Sequence, residues 1–354
     1  MKRLATGIIV AAALSAAGVS AQFAPAPIVE TGLADVDRHV ALAKAAAGVE
    51  WAGLYEATCG DAVGLSRPPA PRGGGARGGR AGRGAGGGRG GGGGGAPAGP
   101  PRESWYAEPV KVFDNLYYVG MTEFSAWAIT TSEGIIILDA IYDYSIEEEV
   151  AGGLKRLGLN PADIKYVIVS HGHVDHAGGA KFLQERFGAR LVMSEADYTL
   201  LDQQNPSWKP KRDIVATDGQ RLTLGDTTVT LYLTPGHTIG TISTLIPVRD
   251  GGRPHVAAAW GGTRFNFGRN QAQLGMYASS AARLRDIVEK AGADVLISNH
   301  TDFDGSKVKL PAVSTRAPGA SHPYVVGTDV VKRYLTVANE CAQAAVAAVA
   351  QAAQ

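Results

Sequence analysis

From Val110 onward the chain alternates short apolar runs with turns and amphipathic stretches. NLYYVG, SAWAITT and GIIILDA (115–120, 125–131 and 134–140) are rich in β-branched and aromatic residues and predict three successive strands. A helix is expected around Ser145 to Leu157, and IKYVIVS (164–170) is another strand. Ala177 to Phe187 follows as a helix and ARLVMS as a strand, and TTVTLYL is a strand that ends at TPGHT. TISTLIP and HVAAAW are further strands, a helix from about Met276 to Lys290 leads into the strand of DVLISNH, and a long helix runs from about Asp329 into the alanine-rich tail. Hairpin-like strands mixed with strand–helix units indicate an α/β body, with polar clusters at strand ends, where open sheets present ligands.

The sequence before Val110 is of other kinds. Residues from about Leu33 to Tyr55 have helical composition, with Val36, Val40 and Ala43 to Ala47 on one stripe, and predict an N-terminal helix packed on the body. Arg67 to Arg102 is almost entirely Gly, Ala, Pro and Arg and offers no side chains for a core, so a disordered, flexible insertion is expected. At the start, Lys2 and Arg3 precede LATGIIVAAALSAAGV, with Val19 and Ala21 permitting cleavage before Gln22. This has the form of a secretory signal, so export to a periplasm or beyond is expected, without stable membrane insertion. The organisation is then a signal peptide at 1–21, a helical extension at 22–66, the Gly/Arg/Pro-rich insertion at 67–102 and a folded body at 103–354.

Composition narrows the partners. With 354 residues, 45% hydrophobic and 19% charged, the chain can bury a real core, and a formal net charge of +1 gives no global attraction to nucleic acid or anionic membranes. Arg-Gly-Gly repeats do occur in RNA-binding segments, yet the tract lacks interleaved aromatics, so no nucleic acid is expected as partner. Of the two cysteines, Cys59 lies near the start of the mature chain and Cys341 near its end. In an oxidising compartment they could pair and tie the termini together; the alternative is two buried free thiols. A monomer is expected.

The chemistry lies in SHGHVDHAGG (170–179), directly after IKYVIVS. His171 and His173 flank one residue, so in extended backbone they point the same way and can share one cation, while a tight turn aims Asp175 and His176 at a second point nearby. Each set needs one more ligand, and His237 in TPGHT and His300 in SNHTDFDG both follow apolar strands. Five of the eight histidines stand in such places; His39 and His255 are expected to be surface or packing residues, and His322 to lie near the cleft. No GxSxG elbow is present, so no serine nucleophile is indicated.

HxHxDH with later lone histidines resembles the signature of the metallo-β-lactamase fold superfamily, from about Val110 to the final helix. The resemblance implies an αββα sandwich with added N- and C-terminal helices and two zinc ions at one edge. His171, His173 and His237 would bind the first, and Asp175, His176 and His300 the second. Glyoxalase II-like thioesterases and many lactonases carry a bridging aspartate on the strand between the last two histidines, and subclass B1 and B2 enzymes a cysteine; HVAAAWGGTRFNF contains neither. The pattern is therefore most similar to subclass B3, as are SHPYVVGTDVVKRYL and the opening NLYYVGMTEFSAWAITTSEGIIILDA. What this implies is an exported zinc hydrolase of antibiotic resistance, in which hydroxide generated between two zincs attacks the β-lactam carbonyl and Asp175 orients it. One departure stands out: where B3 enzymes present serines to the substrate carboxylate, this chain has Gly261, Gly262, Thr263 and Arg264, of which Thr263 and Arg264 are the candidate substitutes. A hydrolase of a lactone, ester or other amide is the alternative reading, again with a small carbonyl substrate.

Overall fold

The computed structural model describes residues 30–66 and 99–352; the signal peptide expected at 1–21 and residues 67–98 of the Gly/Arg tract lie outside them. Two helices come first, α1 (Ala34–Ala47) and α2 (Ala52–Ser66). The single helix expected over Leu33 to Tyr55 is thus divided, because Gly48 takes a left-handed φ of 56°, which a residue without Cβ adopts at little cost. Strands β1 (Val110–Lys111), β2 (Leu116–Tyr118), β3 (Trp127–Thr131) and β4 (Gly134–Leu138) then form an antiparallel meander.

The next stretch winds helices between parallel strands. A π-helical turn at Glu147–Gly152 runs into α3 (Gly153–Arg156), and β5 (Ile164–Ile168) leads through α4 (Val174–Ala177) and α5 (Ala180–Phe187) to β6 (Arg190–Ser194). Helix α6 (Glu195–Gln204) and β7 (Ile214–Ala216) complete a seven-stranded sheet whose spatial order is the chain order. The second sheet is built from the meander β8 (Gln220–Leu224), β9 (Thr227–Leu233), β10 (Ile242–Asp250) and β11 (Arg253–Trp260). After the crossover helix α7 (Gln271–Ala291), β12 (Val295–Ser298) pairs parallel to β11. Helices α8 (Ser306–Ser314) and α9 (Thr328–Gln351) end the chain.

Side-chain alternation assembles these pieces into four layers. In β4, Ile136 and Leu138 point between the sheets and meet Val229, Leu231, Ile246 and Ile297 of the second sheet. Ile135 and Ile137 point the other way, into a core with Val150, Leu154 and Leu183. Strands covered on both faces read as unbroken apolar runs, as GIIIL and VLIS do. The outer face of the second sheet, with Leu245, Ala258 and Leu296, is covered by α7 and α9 together with α1 and α2. The layers make the αββα sandwich expected from the sequence, with the N-terminal pair of helices sharing a core with the rest. A disulfide joins Cys59 of α2 to Cys341 of α9. Among the described residues no helix is long and apolar enough to cross a membrane.

One buried acid lies away from the strand ends. Glu149, in the π-helical turn, accepts the Ala107 N–H at 2.9 Å, and burial pushes its carboxyl up to about 8. A raised folded-state pKa means that ionisation favours the unfolded chain: the stability is full below the ordinary value of 4.5 and is lost as pH rises through about 8. Glu149→Gln should remove this loss. Urea midpoints of variant and parent should diverge in the variant's favour between about pH 5 and about pH 8.5, and a constant difference would refute the assignment.

Candidate metal centre

The C-terminal ends of β4, β5, β9, β11 and β12 gather at one edge of the sandwich, and the hydrogen bond from Ile242 N–H to Ser170 carbonyl (2.7 Å) holds the two sheets together there. The turn after β5 brings His171 and His173 to one point, which His237, four residues past β9, also reaches; their ring centroids stand 4.4–4.9 Å apart. Nδ1 of His173 lies 3.1 Å from Nε2 of His237. Beside this set, Nε2 of His176 lies 3.2 Å from Nε2 of His300 and 3.1 Å from Oδ2 of Asp175. The ligand-type atoms within each set lie within 4.8 Å of one another, and the His171 and His176 rings are 4.2 Å apart. The six residues singled out in the sequence thus form two adjoining groups of three.

A second layer fixes which nitrogen faces inward. His171 Nδ1 stands 2.8 Å from the Gly261 carbonyl and His237 Nδ1 2.7 Å from the Arg264 carbonyl; a carbonyl only accepts, so each Nδ1 carries the hydrogen and each Nε2 is left with its lone pair. His176 Nδ1 meets Oδ2 of Asp139 at 3.0 Å and so is a donor as well, which turns Nε2 toward Asp175 and His300. His171 Nε2 is buried and has no hydrogen-bond partner. A bare buried acceptor among further imidazole nitrogens fits a cation and little else.

Electrostatics keeps most of these rings ready to ligate. Burial holds His171 well below its ordinary value, lowers His173, and brings His237 and His300 down to about 3, so the neutral rings are present at pH 7. For His176 burial acts downward too, but the Asp175 and Asp139 carboxylates outweigh it and raise its pKa. Burial would raise Asp175, yet His176 and the neighbouring histidines hold it below the usual carboxylate range.

Sequence reading missed the residues that aim the ligands. Asp139 is buried and accepts both the backbone N–H (2.7 Å) and the hydroxyl (2.9 Å) of Ser170, as well as His176. Asp197, near the start of α6, accepts Gly172 N–H at 3.0 Å and the Thr238 hydroxyl at 2.8 Å, joining the His171–His176 turn to the His237 loop; burial pushes its carboxyl up to about 6. Asp304 accepts the N–H groups of Ser298 and Ser306 and so closes the His300 loop. Asn299 donates to the Gly261 carbonyl at 2.9 Å. An acid ending an all-apolar strand, as in GIIILD, was a usable signal for Asp139; Asp197 and Asp304 had none in the local sequence.

Other candidates fall elsewhere. Arg264 turns its guanidinium to Asp61 of α2, and Thr263 is buried with its carbonyl taken by the Tyr277 hydroxyl. Gly261 and Gly262 are packing requirements: a Cβ on Gly261 would lie 1.9 Å from the Ile242 carbonyl oxygen, and one on Gly262 2.4 Å from His237 Cβ. His39 pairs with Glu340, His255 with Asp294, and His322 donates to the Val112 carbonyl, all away from the cluster.

Comparison with known proteins agrees with this geometry. Residues 125–251 match the metallo-β-lactamase superfamily model. The structure is similar to BJP-1, a subclass B3 metallo-β-lactamase of Bradyrhizobium japonicum, with TM-score 0.57 and 28% identity over 66% of this chain and 91% of that one. A FEZ-1 metallo-β-lactamase variant from Legionella gormanii shares the fold, with TM-score 0.58 and 24% identity over 66% of this chain and 92% of that one. By sequence the chain is similar to a hydroxyacylglutathione hydrolase of Acidiphilium cryptum, 31% identical over 43% of this chain and 56% of the relative. It is also similar to the N-acyl homoserine lactonase AttM of Azorhizobium caulinodans, 28% identical over 47% of this chain and 69% of the relative. The match to the first of these relatives spans little more than half its length.

Two sets of variants test the geometry. His237→Ala and Asp139→Asn should both weaken metal binding, the second by roughly 10–100-fold as for other residues that orient a ligand, while His39→Ala leaves the metal content unchanged; equal losses in all three would refute the assignment. Gly262→Ser, which supplies a hydroxyl where related enzymes are expected to carry one, should lower metal content and activity because its Cβ displaces His237; full activity would contradict the packing described.

Proposed function

Since the chain carries a metallo-β-lactamase superfamily domain, we propose that it is a hydrolase holding two zinc ions, one on His171, His173 and His237 and one on Asp175, His176 and His300, and that it opens the β-lactam ring. The observation that carries this is the set of six donors, with three ring tautomers preset by Gly261, Arg264 and Asp139 and no aspartate or cysteine contributed from β11. The likeness to subclass B3 structures supports the same reading.

Zinc held there supplies Lewis-acid polarisation of a carbonyl and a nucleophile at neutral pH. The chain's own contribution is orientation and proton handling. Asp175, kept ionised by His176, points Oδ2 toward the histidines of its set at 3.1 and 3.7 Å. Its other oxygen has no partner among the described residues and is the acceptor for the proton that an attacking water gives up. Asp197 and Asp139 keep the turn and the His237 loop stationary while this happens.

A second reading, hydrolysis of a lactone or ester, is favoured by the cleft itself. A cavity of about 510 Å³ opens beside His173 and His237, walled by Leu200, Ile239 and Phe267, with no lysine or arginine in its lining. An uncharged acyl group suits such walls better than a carboxylate does. Similarity to lactonases and to hydroxyacylglutathione hydrolases supports this alternative. For the compartment, the Cys59–Cys341 disulfide supports export to an oxidising space, the periplasm or beyond.

A substrate panel separates the readings. Zinc-loaded protein is expected to hydrolyse nitrocefin and imipenem and to lose that activity with a chelator. Turnover of N-acyl lactones or thioesters with both β-lactams left intact would select the second reading, and inert protein would reject both. Ile239→Asp should raise KM for substrates with an apolar arm while leaving zinc content unchanged.

A further inference from the structure

Helix α2 touches both ligand loops that lie downstream of the His171–His176 turn. Toward its C-terminal end, Asp61 receives Arg264 in a two-pronged contact, Nε to Oδ2 at 2.9 Å and Nη2 to Oδ1 at 2.6 Å. The carbonyl of the same Arg264 accepts His237 Nδ1 at 2.7 Å. That carbonyl aims the ring only if its own segment is stationary, and residues 261–270 contain no helix or strand. At the other end of α2, Gly53 lies so close to the loop after His300 that a Cβ would come within 2.5 Å of the Asp302 carbonyl oxygen. Phe303, next in that loop, sits in the apolar core shared with α2, its ring 5.3 Å from the ring of His300 and its N–H directed to the His300 carbonyl at 3.3 Å.

Gly53 and Asp61 are eight residues apart, so about 12 Å of one rigid helix separates the two contacts. The rod is itself fixed. Leu54, Tyr55 and Ala62 are buried, Cys59 is bonded to α9, and Trp51 just before the helix donates its indole N–H to the Val330 carbonyl at 2.8 Å. Arg264 is half exposed, so its ion pair with Asp61 adds little to global stability; its effect is on where the Arg264 carbonyl stands.

We propose that α2 is a brace with one end for each metal set: Asp61 is a positioning residue for His237, acting through Arg264, and Gly53 is one for His300, admitting the close approach of the Asp302 backbone. The proposal rests on the reading that both sets hold metal. It makes the N-terminal helices part of the hydrolytic centre, although none of their side chains is among the ligands.

The test uses the full, disulfide-intact, metal-free chain titrated with cobalt(II), read by visible absorption and by competition with a chelator. The two binding steps are assigned by which one disappears in His237→Ala and which in His300→Ala. Asp61→Asn and Arg264→Gln are expected to weaken the His237-dependent step, by roughly three- to tenfold because they act one layer behind the residue that holds the ring, and to leave the other step unchanged. Exchanging the pair, Asp61→Arg with Arg264→Asp, should restore it. Gly53→Ala should show the converse, weakening only the His300-dependent step. Equal changes in both steps, no change in either, or no recovery in the exchanged pair would overturn the brace. Parent protein that binds no cobalt would instead overturn the metal-site reading. If Gly53→Ala does not accumulate as folded protein, the Asp61 variants, whose half-exposed pair lies outside the core, decide the matter.

Discussion

Six lone-pair-bearing side chains crowded at a buried sheet edge keep their places only if each is aimed from behind, and Asp139 does this where β4, β5 and the His171–His176 turn meet. Its carboxylate accepts the backbone N–H and hydroxyl of Ser170 and Nδ1 of His176, and its own N–H donates to the Ile168 carbonyl. Ser170 in turn accepts the Ile242 N–H of the opposite sheet. Asp139 reaches this position with a left-handed φ of 63°, a conformation that costs on the order of 1–3 kcal/mol in a residue other than glycine. Three charge-assisted hydrogen bonds offset that strain. With Asp139 fixed, the inward nitrogen of His176 is fixed, and the turn that carries five of the site's polar residues is anchored at its first residue.

Much of this was legible in the chain. Strands covered on both faces are apolar over most of their length, so β4 and β12 and the buried stretches of β5, β10 and β11 announced themselves, and polar clusters placed just after such strands pointed to the edge where ligands gather. Elements with mixed surfaces did not. α6 reads EADYTLLDQQ, with its buried Asp197 indistinguishable from a surface acid of a first helical turn, and β7 and β8 are short strands at a sheet edge. The division of the N-terminal helix hid in a run of alanines, where Gly48 alone marks the turn. What local sequence lacks is the identity of the tertiary acceptor: nothing near Arg264 tells that its side chain belongs to Asp61 and its carbonyl to His237.

The glycines after β11 change meaning once the neighbours are known. In the sequence, Gly261 and Gly262 stand out as a loss of hydroxyls. In the fold they allow His237 and Ile242 to pack directly against the backbone, and the Gly261 carbonyl serves both His171 and Asn299. Bare backbone here brings the second sheet close enough to complete the first metal set. Leu200, Ile239 and Phe267 stand farther out, in the wall of the cavity beside His173 and His237.

The bond between Cys59 and Cys341 closes 282 residues of chain, and this sets an order in time. During synthesis α2 emerges before the ligand loops, while α9, its covalent partner, emerges after them. Every ligand has been made before the helix that fastens the brace exists. The six residues of the two sets thus lie inside the covalent loop, between the two helices that the bond joins.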